Sequence, residues 1–168
     1  CCADSTVNSV GTDSKAGQMS PHNLLSTTIG DELKIATDFK SKVIGVALKD
    51  RAAILPAGHT ADGAYWIDFK KGCFVTSTHY MKELPQWVTD FNKAIGKTSK
   101  TEIQMTSLGN KLTEEFAKAA ITGENLGLNS QTDMLTISFS CTDMVGDAYG
   151  THGQKTQDVY LDVDARLA

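Results

Sequence analysis

Two kinds of hydrophobic segment alternate along the chain: stretches with apolar residues at helical spacing, and short unbroken apolar runs. Ser20-Pro21 opens the first helical stretch, with Ser suited to the N-cap and Pro to the first helical position. Leu24, Leu25, Ile29, Leu33 and Ala36 then give one apolar face. Val43 to Leu48 is an unbroken apolar run rich in β-branched residues, which predicts a strand buried on both faces. It stops abruptly at Lys49-Asp50-Arg51. Residues 64–69 and 73–78 flank Lys70-Lys71-Gly72 and predict a hairpin, read as an insertion or cap around 60–100. Pro85 starts another helix, with Trp87, Val88, Phe91 and Ile95 along one side. Residues 96–110 read as a polar connector, and Asn110 as the cap of a third helix that turns Leu112, Phe116, Ala119 and Ala120 inward. Residues 134–140 form the second strong strand and give way to Cys141-Thr142-Asp143. A last helix runs from Thr156, carrying Val159, Tyr160, Val163 and Leu167. Residues 1–19 are small and polar, a loop or short edge strand.

Helices alternating with buried strands predict an α/β fold, a mainly parallel sheet flanked by helices, in one partial domain over 1–168. Ligands of such sheets bind outside the carboxyl ends of the strands. Both strong strands end in charged residues, so Lys49, Arg51 and Asp143 are expected to face one crevice.

Composition narrows the partners. The chain of 168 residues is 40% hydrophobic but only 7% aromatic, so aliphatic side chains must supply most of the core. A net charge of −4 and no basic stripe argue against a nucleic-acid partner on electrostatic grounds. No apolar run approaches the roughly 20 residues needed to span a bilayer, and no secretory signal is visible. The chain begins at Cys1-Cys2 without a Met and stops at Arg166-Leu167-Ala168 within a helical pattern, so it reads as an internal piece. Cys1, Cys2, Cys73 and Cys141 include no CxxC pair, so a zinc knuckle is unsupported, while the adjacent Cys1 and Cys2 could oxidise or join an outside partner. Cys141 reads as a small buried residue.

Few residues can carry chemistry. Lys49 and Arg51 could grip an oxyanion such as phosphate, Lys as a compact charge and Arg as a planar fork; a solvated turn with a local ion pair is the plainer alternative. Asp143 and Asp147 stand four apart and share a face if the segment is helical. Such carboxylates could hold a divalent cation, or Asp143 could simply cap a helix. His152 is near enough in sequence to join them, and His59 could be a general acid, a ligand or a structural turn residue. No G-x-S-x-G elbow, Walker loop or G-x-G-x-x-G occurs, and no nucleophile stands out.

Taken in order, segments 19–37, 42–88, 109–127 (GNKLTEEFAKAAITGENLG) and 135–150 (LTISFSCTDMVGDAYG) resemble the middle of bacterial alkaline phosphatases of the branch close to type I phosphodiesterases and nucleotide pyrophosphatases. The 42–88 stretch, KVIGVALKDRAAILPAGHTADGAYWIDFKKGCFVTSTHYMKELPQWV, is the most specific. The resemblance implies a two-zinc phosphomonoesterase working through a covalent phosphoenzyme on small phosphate monoesters, exported to the periplasm or beyond. It implies that Lys49 and Arg51 are the K-x-R pair that contacts the phosphoryl oxygens, and that Asp143 opens the D-x-x-x-H zinc motif. Position 147 departs from that motif, Asp standing where His is expected, and the connector 96–110 is shorter than the family's. The nucleophile and the remaining zinc ligands are expected outside the chain, so this piece alone should be inactive and, with its sheet cut, prone to aggregate. Two other readings stay open: a degenerate phosphate- or cation-binding domain, and a diester-cleaving relative, against which Lys49 and Arg51 argue.

Overall fold

The computed structural model describes residues 1–96 and 98–168; Lys97, inside the predicted connector, lies outside the described residues. Five strands form one mixed sheet: β1 (Ser9–Val10), β2 (Val43–Ala47), β3 (Gly63–Asp68), β4 (Cys73–Ser77) and β5 (Met134–Ser138), in the order β1-β4-β3-β2-β5. The centre is parallel as predicted, β2 running with both β3 and β5. The hairpin β3–β4 belongs to this sheet, and β1 adds antiparallel to its outer strand.

The unbroken apolar run of β2 has two faces to serve. Ile44, Val46 and Leu48 enter one core with Phe116 and Leu112, whereas Ala47 enters another with Ala53 and Ile54. Helix α2 (Asp50–Ala57) lies so close over β2 that a Cβ at Gly45 would fall 2.1 Å from the Ala53 carbonyl oxygen. On the opposite side lie α3 (Gln86–Ile95) and α5 (Ser107–Gly123). There Phe116 stacks on Phe74 with ring centroids 3.8 Å apart and meets Trp87 and Phe91 at 5.1 Å each. Low aromatic content therefore conceals one concentrated aromatic cluster.

The first helix departs from its prediction. It spans only Ile29–Ala36 (α1), and Pro21 sits in a turn closed by Leu24 N–H donating to the Pro21 carbonyl at 2.8 Å. A capping box decides the start: the Thr28 hydroxyl accepts from Asp31 N–H, and the Asp31 carboxylate accepts from Thr28 N–H. The expected apolar face is outside, Leu25 and Ile29 being exposed, while Gly30, Asp31 and Lys34 are buried. Polar bonds replace apolar packing here. Lys34 Nζ donates to the Ser41 carbonyl and both Asp62 oxygens, and Asp62 accepts from Val43 N–H at 2.8 Å. Burial raises the Asp31 carboxyl, but hydrogen bonds from Thr60, His59 and Thr28 outweigh it and leave the group below the usual range.

The connector also holds more structure than predicted. A short helix, α4 (Lys100–Met105), is set by a capping box between Ser99 and Glu102, and α5 starts at Ser107 under a Thr106 cap. Asn110 is therefore not a cap. It is buried inside α5, where its side-chain amide donates to the Val159 carbonyl and to Asp162 Oδ2 (3.0 Å). Those partners lie on α7 (Gln154–Leu167), which begins slightly before the predicted Thr156. Helix α6 (Cys141–Tyr149) follows β5, whose outer edge has no strand partner among the described residues.

Candidate active site

Strands β2 and β5 are parallel neighbours in register from Val43–Met134 to Ala47–Ser138, so their carboxyl ends lie side by side. Each passes quickly into a helix. After β2 come the buried Leu48, then Lys49 at the N-cap of α2. After β5, Asp143 falls in the first turn of α6. The two turns meet where Lys49 Nζ pairs with Asp143 Oδ2. The Lys49 hydrogen bond, then its charge and that of Arg51, hold the Asp143 carboxyl below the usual carboxylate range. Lys49 is thus no solvated turn residue; its side chain is 19% exposed.

Two hollows adjoin this pair. A cleft of ≈ 500 Å³ is lined by Lys49, Asp50 and Arg51 and floored by Leu48, Trp66 and Ile67. Arg51 has no carboxylate within ion-pair distance among the described residues, so its guanidinium is available to an anion. The second hollow, ≈ 340 Å³, is lined by Asp143 and Asp147, one turn apart on α6, with Thr142 and Thr151. Both carboxylates are exposed. Among the described residues no group of three His, Cys, Asp or Glu could hold a metal ion. Zinc takes four ligands in a structural site and three protein ligands in a catalytic one. The two aspartates therefore fit as part of a zinc site and do not complete one.

The histidines stand apart. His152 does not line the hollow of Asp143 and Asp147. His59 follows the C-terminal end of α2, the end away from Lys49; its carbonyl lies 3.1 Å from His79 Nε2 and its backbone N–H meets Asp31. Both contacts are made by the His59 backbone and assign its ring no role. All four cysteines are free, and Cys141 is fully buried with its Sγ donating to the Ile103 carbonyl. Burial pushes this thiol up to about 11, so it is inert. Sequence reasoning missed Lys15, Lys70 and Lys100, which line the same cleft as Lys49 and Arg51. They come from three separate segments, and only their shared charge could have signalled them.

A family model described as type I phosphodiesterase / nucleotide pyrophosphatase matches residues 8–168. The chain is similar to alkaline phosphatase PhoV of Synechococcus elongatus, at 42% identity over 99% of this chain and 39% of PhoV. It is similar to alkaline phosphatase PafA of Elizabethkingia meningoseptica, at 39% identity over 100% of this chain and 40% of PafA. A Myroides odoratus protein named calcium-transporting ATPase is 40% identical over the same shares. The crystal structure of wild-type PafA superposes with a TM-score of 0.94 at 39% identity, covering 99% of this chain and 42% of that one. A PafA variant, TM-score 0.95, has alanine in place of a lysine and an arginine spaced as Lys49 and Arg51 are. The chain spans about two fifths of the length of these relatives. The matched span in PhoV is 215 residues against 168 here, so PhoV carries residues with no counterpart in this chain. With the match running over nearly its whole length, the chain belongs to the type I phosphodiesterase / nucleotide pyrophosphatase family.

Proposed function

We propose that the protein is a zinc-dependent phosphomonoesterase, acting through a covalent phosphoenzyme, and that this chain supplies its phosphoryl-binding pair and one side of its metal site. One observation carries the reading: Lys49 and Arg51 line one cleft, and Lys49 pairs with Asp143 from the helix that follows the adjacent strand. A monoester presents a phosphoryl group with three non-bridging oxygens and close to two negative charges, whereas a diester presents two oxygens and one charge. Two cations of different shape suit the first. Arg51 can hold two oxygens with its planar fork, and Lys49 can meet a third as a point charge. A bound phosphoryl group competes with Asp143 for Lys49. Fixed charges of this kind lower a barrier most when charge spreads over those oxygens in the transition state.

Zinc held in part by Asp143 and Asp147 would lower the pKa of an attacking hydroxyl and stabilise the departing oxygen. The nucleophile belongs to a part of the protein outside this chain, and so do the other zinc ligands. Export to the periplasm or outside the cell is part of the same reading and rests on the family resemblance.

A second reading, a domain that binds phosphate or a cation without turnover, is favoured by the short connector 96–110 and by Asp147. Asp147 replaces the expected His, and an added carboxylate makes the site harder and more negative. Hydrolysis of p-nitrophenyl phosphate separates the two. The full-length protein is expected to turn it over, to lose activity on chelation and to regain it with zinc, while residues 1–168 alone stay at background. Phosphate binding without turnover in the full-length protein would favour the second reading. Robust turnover by residues 1–168 would refute the division of the site.

A further inference from the structure

We propose that Lys15, Lys70 and Lys100 form an anion subsite that selects phosphate esters carrying a second anionic group, such as a carboxylate or another phosphate, on the part that leaves. The inference rests on the proposed role of Lys49 and Arg51 and deepens it.

Positive charge is unevenly distributed over the molecule. Among the described residues, nine lysine and arginine side chains lie within ion-pair distance of a carboxylate. Six do not, and four of those six, Lys15, Arg51, Lys70 and Lys100, line the cleft that contains Lys49, whereas Lys82 and Lys155 lie elsewhere. The net charge of the chain is −4, so this concentration is local. A cleft lined by one sign of charge focuses the field and draws in the opposite charge.

The two acids of the cleft, Asp50 and Asp68, offset only part of the charge of its five cations, Lys15, Lys49, Arg51, Lys70 and Lys100. Asp68 is 1% exposed, and its carboxylate accepts from the Thr12 and Ser14 hydroxyls and from Lys70 N–H. Asp50 is engaged by the backbone N–H of Arg51. The bonds of Asp68 also position the subsite. They fasten the turn that carries Lys15 and the hairpin turn that carries Lys70, leaving both ammonium groups free. Trp66 Nε1, donating to the Ala16 carbonyl at 2.8 Å, pins the residue after Lys15. Lys100 is the first residue of α4. A volume of ≈ 500 Å³ exceeds what a single phosphate needs and lies in the range of small-molecule sites. A substrate gripped by its phosphoryl group at Lys49 and Arg51 therefore has its remainder among three unpaired ammonium groups.

The test compares two probes that differ by one anionic group, methylphosphonate and methylenediphosphonate, by calorimetric titration of the full-length protein. Wild-type protein is expected to bind the diphosphonate at least about tenfold more tightly, through charge-assisted contacts. The triple variant Lys15→Ala, Lys70→Ala, Lys100→Ala keeps the metal site, so any metal chelation by the probe cancels in the comparison. Its preference should fall about tenfold below that of wild type while its methylphosphonate affinity is kept. Lys82→Ala removes one positive charge from a different groove, beside Leu84 and Asn92, and should leave the preference intact. A triple variant that retains the preference, or that loses both probes equally, overturns the subsite. Failure of both probes to bind wild-type protein would instead overturn the phosphate reading of Lys49 and Arg51.

Discussion

Alanine at both Lys49 and Arg51 should lower kcat/KM of the full-length protein for p-nitrophenyl phosphate by at least about 10²–10³-fold, the cost of removing a single preorganised donor at developing charge. Activity on bis-p-nitrophenyl phosphate should change far less. The difference follows from charge: the two cations answer a phosphoryl dianion, and a diester lacks one of the charges they meet. The loss should fall mainly on kcat, because interactions that strengthen as charge spreads over the phosphoryl oxygens act in the transition state more than in the bound ground state. Single variants should not be equivalent. Arg51→Ala leaves the Lys49–Asp143 pair in place, whereas Lys49→Ala removes the cation that holds the Asp143 carboxyl down. Equal losses on monoester and diester would show that the pair serves general binding and not the choice of ester.

Truncating Phe116 should destabilise the fold sharply. Its ring is fully buried, stacks on Phe74 and is ringed by Tyr65, Trp87 and Phe91. It joins β3, β4, α3 and α5 at one point. Truncation to alanine should cost about 3–5 kcal/mol, the usual range for a buried Phe whose neighbours cannot close the cavity. Against a typical domain stability of about 5–15 kcal/mol, that is a large share. Denaturant unfolding of the full-length protein should show the midpoint falling sharply for Phe116→Ala. The exposed Phe39→Ala is the control, expected to stay within about 0.5 kcal/mol. Similar shifts in the two variants would mean that the cluster does not hold the sheet and its helices together.

Much of the site could be read before any fold was known, because parallel sheets obey a positional rule. An unbroken apolar run that ends in charge marks a strand end, and ligands gather at strand ends. Lys49 and Asp143, far apart in sequence, meet for that reason. The rule says nothing about residues brought in from elsewhere. Lys15, Lys70 and Lys100 arrive from a loop, a hairpin turn and a helix start, and only Asp68 relates two of them.

The helices show where periodicity misleads. Leu24, Leu25 and Ile29 have helical spacing, yet α1 docks by Lys34 on Asp62 and by Asp31 on Thr60. Polar bonds can orient a helix as firmly as an apolar stripe, and hydrophobic spacing does not reveal them. The cues that would have corrected the reading are the Thr28–Asp31 and Ser99–Glu102 capping boxes, both legible as short motifs. Asn110 misled for the opposite reason. It has the chemistry of a cap, but its amide faces α7 from within α5, a partner visible only in three dimensions.

The claim on which everything turns is that the ends of β2 and β5 jointly bind a phosphoryl group. A crystal structure of the full-length protein soaked with inorganic phosphate and zinc tests it most directly. Phosphate oxygens are expected within hydrogen-bonding distance of both Lys49 Nζ and the Arg51 guanidinium, with a metal ion on Asp143. Phosphate bound elsewhere, with Lys49 still paired to a metal-free Asp143, would contradict it.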